Sequence, residues 1–154
     1  MSDISKARDF AKEKHDGQKR NDGKPYYYGH LVPVSIIAAM IARQYQCSNK
    51  EIEQVEIVGL LHDALEDTIT EHSEIIHNFG VHVYNAVCIL TKREDSYISY
   101  IMKIVDSNNK LAMIVKMADL QHNSSDLTTG STRKDKYELA HAIILRAYNE
   151  EFNS

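Results

Sequence analysis

The stretch Ser48–Asp67, "SNKEIEQVEIVGLLHDALED", decides the fold. Ser48 stands three residues before Glu51, the spacing of a reciprocal N-terminal cap, and Ile52, Val55, Val58 and Leu61 recur at helical intervals. The spacing predicts an amphipathic helix that carries His62, Asp63, Glu66 and Asp67 at its carboxyl end. If the helix persists through the motif, Glu66 lies on the face of His62 and Asp67 on that of Asp63. A His-Asp pair at a helix end is ordinarily a surface pair. Here it follows the apolar "VGLL", which would bury it, and burying further acids beside it without a cation is expensive. An imidazole next to a carboxylate suits a divalent ion of the manganese, iron or zinc type better than calcium or magnesium.

Outward from that stretch the apolar spacing stays helical. "DISKARDFAKEKH" predicts a first helix over about Asp3 to Asp16, with Ser2 or Asp3 as cap. "GQKRNDGKPYYYGH", residues 17–30, reads as a loop broken by Gly17, Gly23, Pro25 and Gly29. "LVPVSIIAAMIARQY" predicts a helix with Pro33 in its first turn, where proline is tolerated. Downstream, Thr70 is placed to cap "EHSEIIHNF" and Gly80 to close it. "VHVYNAVCILT" and "SYISYIMKIVD" are β-branched enough to leave strand open, but neither alternates for long, so helix is favoured. Two further helices follow, over "NKLAMIVKMADLQHNSSDL" from near Asn108 and from about Arg133 to Glu151. The expectation is one all-α domain over residues 1–154, with no internal repeat or linker.

Composition excludes several classes. Eighteen basic against 22 acidic residues give a formal net charge of −4, which recommends neither a nucleic-acid polymer nor an anionic membrane as partner. Two cysteines, Cys47 and Cys88, are too few for a disulfide framework, and no stretch approaches a membrane span or a signal core. A soluble cytoplasmic protein is expected, and a homo-oligomer is compatible with the sequence.

Two ligands do not make a metal site. The suppliers of the rest are His30, directly after the glycine-rich loop, and Asp119 in "KMADLQHN"; such a set leaves positions open for water and substrate. At this point "LLHDALEDT", with "GH" upstream and "VKMADLQHN" downstream, resembles the HD-domain metal-dependent phosphohydrolases. It is most similar to the alarmone hydrolase domain of RelA/SpoT-type enzymes and their small stand-alone relatives. The resemblance runs from about Phe10 to Leu127 and includes "FAKEKHDGQKR". It implies an all-helical HD-domain fold with His30, His62, Asp63 and Asp119 on one manganese ion. It also implies Glu66 and Asp67 acting on the attacking water, and Asn123 contacting the nucleotide.

Residue chemistry agrees. Two adjacent carboxylates beside a cation do not titrate independently, so Glu66 and Asp67 are assigned a shared base role. Lys19, Arg20 and Lys116 are the cations placed to neutralise phosphates, Arg20 by a forked contact. The expected reaction is 3′-pyrophosphohydrolysis of a guanosine alarmone such as (p)ppGpp. The alternatives are another nucleotide (an adenosine alarmone or a nucleoside monophosphate) or an inactive regulatory module that binds nucleotide. The sequence departs from the family pattern at Leu31 and Val32, which separate His30 from Pro33, at Asn21, at a shortened loop before His30, and at Lys92 and Arg93 in "LTKRED". His15 and His122 are secondary candidates, and Tyr137 is expected to pack in the core.

Overall fold

Side-chain caps set where the helices begin. In the computed structural model, which describes residues 2–93 and 96–153, Ser2 accepts the Ser5 N–H at 3.2 Å and starts α1 (Asp3–Lys14). Ser48 and Glu51 form the expected reciprocal cap, with bonds of 3.2 and 2.8 Å, at the head of α3 (Asn49–Leu61). Ser96, Asn109 and Ser131 likewise cap α6 (Tyr97–Asp106), α7 (Lys110–Ser124) and α8 (Thr132–Phe152). Between them lie α2 (Val32–Gln44), the single turn α4 (Ala64–Asp67) and α5 (His72–Leu90). Among the described residues there is no strand, only an isolated bridge between Lys19 and Pro25, so the all-helical expectation holds. No helix among them is long and apolar enough to cross a membrane. Met1, Ser154, and Glu94 and Asp95 of "LTKRED" lie outside the described residues.

Three local expectations need correction. Thr70 does not cap α5: its hydroxyl is taken up by Thr68 Oγ1 at 2.6 Å, and Glu71 becomes the cap residue, its N–H donating to Glu74 Oε2 at 2.7 Å. Gly80 kinks rather than ends that helix, because its φ of +84° turns the chain in a region open to glycine and helix resumes behind it. The loop after α1 stops before His30. Tyr27–Leu31 form a π-helical turn continuous with α2, in which the Val32 N–H bonds to Tyr27 O. Pro33 supplies the reason: it has no N–H for the carbonyl four residues back, and its ring crowds that carbonyl, so the turn before it widens.

α7 is the central element, with every residue from Leu111 to Leu120 buried, and α2, α3, α5 and α8 pack around it. A helix hydrophobic on all sides has to lie inside. α2 and α3 cross closely: a Cβ on Gly59 would stand 2.8 Å from Ser35 Cα. Ser35 Oγ–H donates to Glu56 O at 3.0 Å beside it. This crossing fixes the end of α3 against the start of α2, and the candidate site lies between those two ends.

Candidate metal centre and active site

Leu61 is the last residue of α3, and the helix does not continue through the motif as expected. Asp63 has φ −98° and ψ 0°, off the helical values, so the chain bends there before α4. On an unbroken helix His62 and Asp63 would diverge by about 100°, the turn per residue of a 3.6-residue helix. The bend lets both face inward. His62 Nδ1–H donates to Gly59 O at 2.7 Å, which fixes the ring and leaves Nε2 for another partner. Carboxylate oxygens of Asp63, Glu66 and Asp67 lie within 4.8 Å of one another. The Asp63–Asp67 pairing survives in α4, where the Asp67 N–H bonds to Asp63 O at 2.9 Å.

The π-helical turn delivers His30, and α7 delivers Asp119. His30 Nε2 lies 3.1 Å from Asp119 Oδ1 and 3.5 Å from Asp63 Oδ2; His62 Nε2 lies 3.1 Å from Asp63 Oδ2 and 3.5 Å from Asp119 Oδ1. Two imidazoles and two carboxylates thus alternate around one small volume. His62 Nε2 is sealed from solvent with no hydrogen-bond partner, although both carboxylates are near. An orphaned buried nitrogen amid two carboxylates fits a divalent cation. Electrostatics agree: burial disfavours the His62 imidazolium, but Asp63 and Asp119 outweigh it and hold the ring well above its ordinary value. Burial likewise opposes the Asp63 and Asp119 anions, yet His62 beside Asp63 and Lys116 beside Asp119 keep both carboxyls low. The carboxylates hold positive charge around themselves, and a metal would displace a proton from His62.

A second ring of contacts orients these groups. Tyr26 Oη–H donates to Asp63 Oδ2 at 2.6 Å, and Tyr26 stacks on the buried His15. Asn123 Nδ2–H donates to Asp119 Oδ1 at 3.0 Å. Lys116 is buried, 2.8 Å from Asp119 Oδ2 and over the Tyr100 ring, so its charge is already compensated. Arg20 Nη1–H donates to His30 Nδ1 at 2.6 Å and reaches Asn123 Oδ1 at 3.5 Å, while His122 Nδ1 lies 3.1 Å from His30 Nδ1. Lys19 is exposed and lines a separate depression with Lys12 and Tyr28.

The donor set opens into a cavity of about 300 Å³. Glu66 accepts the Lys92 backbone N–H at 2.6 Å there. Both Glu66 and Asp67 remain open to solvent, yet the cavity walls remove enough water, with Asp63 adding repulsion, to push both carboxyls up. Tyr137, expected in the core, packs against it and also lines this cavity. Tyr26, Lys92, Tyr97, Tyr100 and Lys136 line it too, and sequence reasoning did not assign them to the site. The one signal for Tyr26 was a run of three tyrosines before His30 with no apolar periodicity.

The family model for the HD domain matches residues 27–147. The chain is 31% identical over 159 residues to a guanosine-3′,5′-bis(diphosphate) 3′-pyrophosphohydrolase of Spiroplasma citri, covering 97% of this chain and 20% of that protein. It is 31% identical over 136 residues to the protein of the same name from Borreliella burgdorferi, covering 81% and 19%. The chain therefore spans about a fifth of the length of these curated relatives. A solved structure described as a metazoan ortholog of SpoT that hydrolyzes ppGpp superposes with a TM-score of 0.70 at 23% identity, covering 96% of this chain and 85% of that one. That likeness is one of fold.

Proposed function

The chain belongs to the HD domain family, and from that membership we propose a metal-dependent phosphohydrolase that removes pyrophosphate from the 3′ position of a guanosine alarmone, (p)ppGpp. What carries this function is the presence in one cavity of the His30, His62, Asp63 and Asp119 donor set and the Glu66-Asp67 pair. The relatives named as 3′-pyrophosphohydrolases support the choice of substrate. Manganese is the metal proposed, since two imidazoles with two carboxylates suit ions of that type. When bound, it would supply Lewis acidity, acidifying a water and polarising a phosphoryl oxygen.

This chain's own residues do the rest. Glu66, fixed by the Lys92 N–H, and Asp67 together orient the attacking water and take its proton. The water oxygen bonds to the phosphorus next to the ribose, the bond from that phosphorus to O3′ breaks, and O3′ recovers a proton as the 3′-hydroxyl. Tyr26 and Lys116 hold Asp63 and Asp119 in place. Arg20 and Asn123, joined at the cavity's edge, are proposed to bind nucleotide phosphate or ribose; Lys116 is proposed to face the substrate from the cavity wall with its charge shared with Asp119, and Lys19 to act from outside the cavity.

The test is to incubate manganese-loaded protein with guanosine and adenosine phosphates and identify both products. Pyrophosphate with GDP from ppGpp is the expected result. Turnover confined to adenosine alarmones or nucleoside monophosphates would move the substrate, and nucleotide binding without any product would make the chain a regulatory module.

A further inference from the structure

His15 is buried, stands outside the metal-centre cavity and has no part in the chemistry proposed above. It closes α1, its backbone N–H donating to Ala11 O at 3.0 Å. The chain then turns back on it: the Gln18 N–H donates to His15 O at 3.0 Å, and Gln18 Oε1 lies 2.7 Å from His15 Nδ1. Gln18 O in turn accepts the Tyr26 N–H at 2.8 Å. The His15 and Tyr26 rings stack, with centroids 5.4 Å apart and planes 22° from parallel. Tyr26 is therefore held twice, at its backbone by Gln18 and on its ring by His15. Its hydroxyl carries that restraint into the site by donating to Asp63 Oδ2 at 2.6 Å.

The neighbours of Gln18 also fix the direction of its amide. Burial and the Asp63 charge push the Asp67 carboxyl up, and Gln18 opposes them as a hydrogen-bond donor. A carboxylate only accepts, so the Gln18 NH2 group faces Asp67 and its Oε1 faces His15, whose Nδ1 carries the proton. His15 Nε2, buried with no hydrogen-bond partner among the described residues, is then a bare lone pair. As core filling such a pair is inferior to apolar side chains, which leave nothing unsatisfied. We propose that His15 and Gln18 are positioning residues that set two carboxylates of the site from outside the cavity: Asp63 through Tyr26, and Asp67 through the Gln18 amide. The Asp67 arm rests on the phosphohydrolase function proposed above. The Asp63 arm requires only that the donor set hold a divalent ion.

A double-mutant cycle on manganese affinity, read by calorimetric titration, tests the Asp63 arm. Tyr26→Phe removes the hydroxyl and should weaken manganese about tenfold, the lower end for losing a partner of a metal ligand. His15→Leu should weaken it several-fold in the parent and not at all in Tyr26→Phe, because positioning through Tyr26 ends when its hydroxyl is gone. The same factor in both backgrounds, as packing alone would give, or no effect in the parent, would overturn the proposal. Gln18→Leu carried through the same cycle should behave alike, and it decides the matter if His15→Leu does not fold. Gln18→Glu keeps an oxygen for His15 but replaces the donor facing Asp67 with a carboxylate oxygen. It should leave manganese affinity undiminished and lower kcat about tenfold with KM nearly unchanged, the scale of one charge-assisted hydrogen bond. An unchanged kcat would remove the Asp67 arm. If the parent releases no product from any nucleotide, the proposed reaction fails, while the manganese cycle still decides whether His15 and Gln18 act on the site.

Discussion

His62 and Glu66 are four residues apart and do different work. His62 has one nitrogen fixed by Gly59 O and the other bare between two carboxylates, so its loss removes a ligand that nothing nearby replaces. Glu66 touches the backbone of Lys92 rather than the donor set. We therefore expect His62→Ala to be purified without metal and without turnover, while Glu66→Gln and Asp67→Asn keep their metal and lose about two or more orders of magnitude in kcat. Metal content and kcat measured on the same preparations check this; full occupancy in His62→Ala would remove it from the ligand set. The raised Glu66 carboxyl has a second consequence in metal-free protein. A carboxyl pushed up on folding contributes stability that is complete below its ordinary range, about pH 4, and lost as pH rises through the raised value. Glu66→Gln cannot ionise, so it should melt above the parent at pH 7, with the gap closing toward about pH 4. Thermal melts across that range decide the sign.

At the scale of elements, the site depends on how closely α2 and α3 cross. Glycine inside an exposed helix weakens it, and replacement by alanine there gains up to about 1 kcal/mol. At Gly59 the added Cβ would meet Ser35 Cα at 2.8 Å and Ser35 N at 3.1 Å, both backbone atoms that cannot rotate away. Gly59→Ala should therefore destabilise the protein, by about 1–3 kcal/mol in denaturant melts, the usual cost of overpacking. It should also weaken metal binding, since the crossing holds the ends that carry His30 and His62. A variant as stable as the parent would show that the helices part freely there. Periodicity identified both helices, because apolar spacing is local. It could not identify the widened turn at Tyr27–Leu31 or the bend at Asp63, because each arises from backbone bonding that side-chain spacing does not register.

At the scale of the molecule, the donor set draws on separate parts of the chain: His30 from the π-helical turn, His62 and Asp63 from the bend after α3, and Asp119 from α7. A metal bound by all four ties those parts together in the folded state only. Loading should raise the melting temperature with metal concentration, by the equivalent of about 4 kcal/mol at a thousandfold excess over Kd, and a chelator should reverse it. Melts with manganese and with EDTA test this, and coincident curves would mean that the four residues do not share an ion.

The sequence by itself determined the helices, the buried position of His62 and the identity of candidates as distant as His30 and Asp119. Spacing, caps and the order of polar motifs are properties of a chain read one turn at a time. Only the tertiary structure decided which cations face the cavity. Lys116 was read as a candidate for the substrate's phosphates and lines the cavity with its ammonium against Asp119; Lys19 was read likewise and lines a separate depression, while Lys92, noted only as a departure from the family pattern, and Lys136, with no motif to mark it, line the cavity too. A solvated lysine looks the same in sequence wherever it stands. Its partner is set by the packing of α6, α7 and α8, which brings together residues that no local pattern relates.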